Sequence, residues 1–391
     1  MKRRIINLWL RYWPFSGPIK SYFLYQKYIS QVRYRGDGIT IKNSISVARP
    51  NGMILGHNVK FEGRNKIDAT AGILISDNVT IAKNVSINTI NENGTYDPVI
   101  VGSNNIITTD IGPGTIIPNR DMIDSLLDYK GQMVFVVSTG RSGSKAIAQL
   151  ISQHKDAQCY HDAYPHFYKY ANDLLYNNTS DEVTAEKLKS FYSCVSYKYS
   201  DVIGLSDQKI APIISILKSI FPDSKFIWVI RNAQDFVNSS YPRGWFANEE
   251  FDLERNDNEF LEKKANPSLF DAKHRTNGFL VGEYTQEQWN EITAFERNCW
   301  YWSYWNNLIE EQLLQFDDQD WMMVKLNELN EKSSEIQKFI GIAPKESSVD
   351  KVNKASYVKP TRKSWTGEMN SIYNKHCKKL MNRLFSVSES N

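Results

Sequence analysis

Residues 134–151 read VFVVSTGRSGSKAIAQLI. An apolar run ends in the small and basic residues Thr139, Gly140, Arg141, Ser142, Gly143 and Ser144, and an apolar helical pattern follows. That order is a strand, a tight turn and a helix. Such a turn cradles phosphate, because the free amides at a helix N-terminus point outward and glycine lets the backbone come close. A magnesium-dependent triphosphatase places Lys directly after the last glycine and Ser or Thr after the Lys. Here Ser144 follows Gly143 and Ala146 follows Lys145. The magnesium ligand is missing, and a different kind of phosphate is expected.

Outward from this turn, apolar segments alternate with helical ones: MVFVVS, a helix from Ala146, AQCYH, an α-rich region to about 200, VIGLSD, a helix over 211–221, then KFIWVI. Such alternation indicates a parallel sheet covered on both faces, so an α/β domain is expected over residues 132–391. FPDSKFIWVIRNAQDFVNSS, residues 221–240, delivers Arg231 directly after a strand. This is the carboxyl end, where open α/β sheets bind ligands. The guanidinium fork suits a terminal phosphate, and Ser239 adds a hydroxyl from the following helix. One phosphate on the turn and another on Arg231 and Ser239 describe a nucleotide phosphorylated at both ends.

The N-terminal third follows another grammar. From Leu55 apolar residues recur every six positions, at Phe61, Ile67, Ile73, Val79 and Val85, with a second register at Ile75, Ile81 and Ile87. A triangular solenoid produces this spacing, each short strand forming one face. The expected organisation is a basic, aromatic segment over 1–36, a solenoid over 37–119, a linker over 120–131 and the α/β domain.

A net charge of +3 gives no global basic field for nucleic acid. The four cysteines, Cys159, Cys194, Cys299 and Cys377, show no CxxC spacing and read as buried free thiols, with no metal site. No stretch is long and apolar enough to span a membrane, and MKRRIINLWLRYWPF lacks a cleavage site. Its composition suits either packing on the next domain or contact with an acidic membrane surface. A cytoplasmic protein is expected, with the membrane-surface alternative open.

Two resemblances extend this reading. Residues 37–119, closing on IVGSNNIITTDIGPGTIIP, resemble the left-handed parallel β-helix of hexapeptide acyltransferases. That family commonly packs three-fold, which implies a homotrimer. Asn93 stands about where its catalytic His is expected, and His57 reads as a turn residue. Residues 132–391 resemble the sulfotransferases that use 3′-phosphoadenosine-5′-phosphosulfate (PAPS), through TGRSGS at 139–144 and IRNAQDFVNS at 230–239. The resemblance implies PAPS as co-substrate without a metal. Ser142, Gly143, Ser144 and Lys145 would bind the 5′-phosphate, together with the turn residues Thr139 and Gly140. Arg231 and Ser239 would hold the 3′-phosphate, and Arg362 and Lys363 would close on it. Arg141 stands where many members carry a Lys on the bridging oxygen, so either Arg141 or Lys145 takes that role.

A base for the acceptor hydroxyl is expected in AQCYHDAYP, residues 157–165, with Asp162 the first choice, His161 the second and His166 the third. Trp302 and Trp305 share a helix face and read as core or as a cleft wall, and residues 248–275 read as a solvated lid. The expected reaction is sulfuryl transfer from PAPS to a carbohydrate hydroxyl. The alternatives are a hexapeptide-repeat O-acyltransferase and a trimeric scaffold whose α/β domain binds an anion.

Overall fold

The structure is a computed structural model and describes residues 24–25, 27–32, 34–42, 44–90, 97–120, 125–163, 167–195, 200–243, 245–246, 275–349 and 365–385. The alternating C-terminal segments build one five-stranded sheet: β1 (Gln132–Val137), β2 (Ala157–His161), β3 (Val202–Ser206), β4 (Lys225–Ile230) and β5 (Trp321–Lys325). All pairs are parallel, in the order β2-β3-β1-β4-β5. The helices are α1 (Ser144–Ile151), α2 (Phe167–Leu175), α3 (Asp181–Cys194), α4 (Ile214–Ile220), α5 (Ala233–Ser240), α6 (Gln286–Glu291), α7 (Ala294–Leu313), α8 (Ser333–Phe339) and α9 (Gly367–Phe385).

The central strands are apolar on both sides because both sides are covered. Phe135, Phe226 and Trp228 enter one core, while Val134, Val136 and Ile227 enter the other. The chain leaves β1 toward β2 and leaves β4 toward β5, in opposite directions along the sheet. A topological switch therefore lies between the carboxyl ends of β1 and β4, and an open α/β sheet has its crevice there. Both sequence motifs end at this crevice. Trp302 and Trp305 are buried core residues of α7, not a cleft wall.

The N-terminal strands form three further parallel sheets around one core. The first contains Tyr34–Arg35, Met53–Leu55, Ile73–Ile75, Val99–Val101 and Ile116–Ile117. The second contains Thr40–Ile41, Lys60–Phe61, Thr80–Ile81 and Ile106–Ile107, and the third Ile45–Ala48, Asn65–Asp68 and Ser86–Asn88. A strict six-residue ladder would stack Leu55 on Ile73. Instead Leu55 pairs with Ile75, and Ile73 with Met53. The corner Ala69–Gly72 takes the extra length, so the sixfold spacing holds across two corners and breaks at the third. The step from Asn58 to Asn78 is therefore 20 residues, while that from Asn78 to Asn104 is 26. Left-handed corner positions recur with the coils, at Asn58, Asn78 and Asn104, where Asn tolerates positive φ. Asn58 donates to Asn78 Oδ1 at 3.0 Å and Asn78 to Asn104 Oδ1 at 3.1 Å.

The two regions share a core. Leu55, Ile75 and Val101 face into the solenoid, but Ile54, Leu74 and Ile100 face out of the same strands and join Leu188, Phe191 and Tyr192 of α3. Each such buried side chain contributes about 1.5–3 kcal/mol. Ser76 Oγ donates to the Cys194 carbonyl at 2.6 Å, and Asn119 Nδ2 to the Ser193 carbonyl at 2.7 Å. The α/β domain therefore covers one solenoid face. All four cysteines are buried and free. Among the described residues no helix is long and apolar enough to cross a membrane.

Candidate active site

The turn after β1 begins buried. Ser138, Thr139 and Ser142 are inaccessible, and the Thr139 and Ser142 hydroxyls bond to each other across the loop. Arg141 at φ 68° and Gly143 at φ 104° bend the chain so that α1 starts at Ser144. A Cβ at Gly140 would fall 1.9 Å from Gln208 Oε1 and 2.6 Å from the Trp245 ring. Glycine there lets both side chains press on the loop. Ser138 Oγ is buried at its base with no hydrogen-bond partner among the described residues. An orphaned hydroxyl, a glycine cradle and a helix N-terminus fit a bound phosphate.

Arg231 and Ser239 meet this loop directly. Arg231 Nη1 donates to the Arg141 carbonyl at 3.1 Å, and Arg141 Nε donates to Ser239 Oγ at 3.3 Å. Asn232 caps α5 by accepting the Asp235 amide at 2.8 Å, and Asp235 lies 3.8 Å from the Arg231 guanidinium. From α7, Trp302 Nε1 donates to the Arg231 carbonyl at 2.9 Å, and Trp305 Nε1 to the Gln208 carbonyl at 3.2 Å. The aromatic helix thus fixes the backbone of two site segments. Lys145 is exposed on α1 while the Arg141 guanidinium lies on Ser239.

On the other side of the loop, His161 ends β2 and its Nε2 shares a hydrogen bond of 2.9 Å with Ser144 Oγ. Asp162 turns the chain at φ 51°, its amide donating to the Ser206 carbonyl at 2.9 Å. Its carboxylate is paired with Lys209. Lys209 is 3% exposed and also lies 2.9 Å from Asp207 Oδ1. Burial pushes Asp207 up to about 6, against the opposing pull of Lys209 and with the help of the Asp162 charge. Sequence reasoning missed Asp207, Gln208 and Lys209. Their signal was present in SDQK, polar residues at the carboxyl end of an apolar strand.

His166, Arg362 and Lys363 lie outside the described residues, as does the expected lid except Arg275. The Arg275 guanidinium stacks 4.7 Å from the Trp245 ring. Among the described residues no group of three or more His, Cys, Asp or Glu is arranged to hold a metal ion.

A model of the sulfotransferase domain matches residues 132–387. The chain belongs to the sulfotransferase domain family, and its α/β part is a sulfotransferase enzyme. The solenoid lies outside this match, and no curated protein matches the chain. Among solved structures, it is similar to a sulfotransferase from Alicyclobacillus acidocaldarius, with 13% identity over 64% of this chain and 94% of that one and a TM-score of 0.35. A Mycobacterium avium sulfotransferase matches with 10% identity over 67% and 71% of the two chains, TM-score 0.33. The sulfotransferase domain of a Synechococcus olefin synthase matches with 12% identity over 56% and 77%, TM-score 0.29.

Proposed function

We propose that the chain transfers the sulfuryl group of PAPS to a carbohydrate hydroxyl. The supporting observation is the contact between the two phosphate motifs at the switch point: Arg231 on the Arg141 carbonyl, and Arg141 on Ser239. In this reading the amides of residues 140–144 and the hydroxyls of Ser142 and Ser144 hold the 5′-phosphate. Arg231 and Ser239 hold the 3′-phosphate, with Arg362 and Lys363 as further candidates.

By analogy with phosphoryl transfer, the sulfuryl group moves in line through a loose transition state, with negative charge growing on the leaving phosphate oxygen. Arg141 and the loop amides neutralise that charge. The acceptor oxygen forms its bond to sulfur as the sulfur–phosphate oxygen bond breaks, and the acceptor proton passes to Asp162. Lys209, paired with Asp162, supplies a cation beside the transferred group. His161, on Ser144, is the alternative base.

For the N-terminal region we infer a left-handed β-helix of the hexapeptide type and a homotrimer. An O-acyltransferase reading gains no support: the His57 ring nitrogen Nδ1 accepts the Asp37 amide at 3.0 Å, which ties it into a turn. Incubation with labelled PAPS and a panel of glycans tests the function. Label should appear in a glycan without added magnesium. Labelling of none, with PAPS bound, would exclude a carbohydrate acceptor of the kinds tried.

A further inference from the structure

The solenoid carries its charges unevenly. One corner, between the first and second sheets, holds Asp37, His57 and Asp77, with Asp77 accepting the His57 amide at 2.6 Å. The corner between the second and third sheets is basic. Lys42, Arg64 and Lys83 occupy the corner itself, and Lys60 and Lys66 face outward from the flanking strands. All five are exposed. Against them stands Glu62, paired with Lys42 at 2.9 Å. Asp68 and Asp110 lie nearby, but each carboxylate accepts a backbone amide, of Thr70 at 2.9 Å and of Ser86 at 2.7 Å.

Two features make this corner more than a solvated surface. Arg64 sits at φ 54°, where the next coil places Asn84 at φ 63°. A long side chain in the left-handed region is disfavoured, and breaches of local preference concentrate at functional positions. Placement is the second feature. The first sheet is covered by α3, so the corner opposite it points away from the α/β domain into solvent. Lys42, the Lys60–Lys66 group and Lys83 lie on three successive coils, each about 4.8 Å from the next. The result is a line of cations along the prism edge.

We propose that this edge binds a polyanionic glycan, the acceptor polymer or its sulfated product. The inference rests on the sulfuryl-transfer reading for the identity of the glycan. Charge complementarity along a line matches an extended chain bearing repeated anionic groups, which a site far from the catalytic loop can retain between transfers. A membrane fits less well, since Gly63, Ala82 and Asn84 between the cations offer no aromatic or long aliphatic anchor. Single-stranded nucleic acid fits less well, since the described residues of this edge include no stacking ring.

The test is fluorescence anisotropy of labelled dextran sulfate with the full chain at low salt. Unlabelled dextran, phosphatidylglycerol vesicles and single-stranded DNA serve as competitors. Simultaneous Lys60→Glu, Arg64→Glu, Lys66→Glu and Lys83→Glu should weaken dextran sulfate binding about tenfold or more. The control reverses Lys155, Lys189, Lys338 and Lys345, which are exposed elsewhere, and should bind as the wild type does. Equal loss in both variants, undiminished binding in the first, or stronger competition by vesicles, DNA or neutral dextran would overturn the proposal. Binding of 3′,5′-diphosphoadenosine is read in the same samples. Nucleotide binding without glycan binding sinks this inference alone, and glycan binding without nucleotide binding sinks the sulfuryl-transfer reading alone.

Discussion

The solenoid and the α/β domain use their sequences differently. In the solenoid, each coil repeats its neighbour's pattern, and residues that touch lie one coil apart, as Phe61 and Ile81 do. In the α/β domain the site draws on residues 138–144, 161–162, 207–209 and 231–239, and it closes only when strands distant in sequence come into register. The first arrangement makes a rigid surface from local rules. The second makes chemistry by bringing unlike residues together.

The sharpest break between the two lies in the site. Asp162→Asn keeps size and hydrogen bonding but removes basicity, so turnover should fall about 10²–10⁴-fold with nucleotide affinity nearly unchanged. Steady-state kinetics beside equilibrium nucleotide binding checks this. Wild-type turnover in Asp162→Asn with an inactive His161→Ala would move the base to His161.

Next come the packing positions, where one strand serves both regions. Leu74 is 4% exposed, facing out of the solenoid into the shared core. Leu74→Ala should cost about 2–5 kcal/mol in chemical denaturation. Ile106 also faces outward, but from the second sheet and 61% exposed, so Ile106→Ala should stay within about 0.5 kcal/mol. Equal effects would mean that α3 does not cover the first face. The same contact bears on the boundary expected at 120–131. It divides two sequence grammars, yet removing residues 1–119 would expose Leu188 and Phe191, so the α/β domain should lose stability without its solenoid.

A smaller effect separates the buried ion cluster from the polar solenoid surface. Folding raises Asp207 from 3.8 to about 6, so the folded state holds that proton more tightly between these values. Stability from this group is present at low pH and is lost as pH rises through about 6. Asp207→Asn should therefore compare better with wild type at about pH 7.5 than at about pH 5, read as a difference in Tm. A difference independent of pH would place Asp207 in a more hydrated setting.

The sequence showed what local chemistry decides. The TGRSGS turn, Arg231 after an apolar strand and the burial of the ladder residues all follow from patterns within a few residues. The coil-to-coil register did not, because the two residues added at the small-residue Ala69–Gly72 corner look like part of any tight turn. Lys209 was missed for another reason. A lysine after a strand is normally solvated, and here it is buried beside Asp207 and the distant Asp162. The contact of Arg141 with Ser239 is equally non-local. Ile54, Leu74 and Ile100 were legible as apolar but not as facing outward, since nothing in a repeat says what covers its outer side.

The most direct measurement is a calorimetric titration of the full chain, without magnesium, with 3′,5′-diphosphoadenosine and with AMP, on wild type and on Arg231→Ala. If the two phosphate motifs serve one nucleotide, the diphosphate binds more tightly than AMP. Arg231→Ala then loses about 2–4 kcal/mol for the diphosphate and little for AMP. Equal affinity for both nucleotides, or a loss common to both, would contradict a 3′-phosphate site at Arg231 and Ser239.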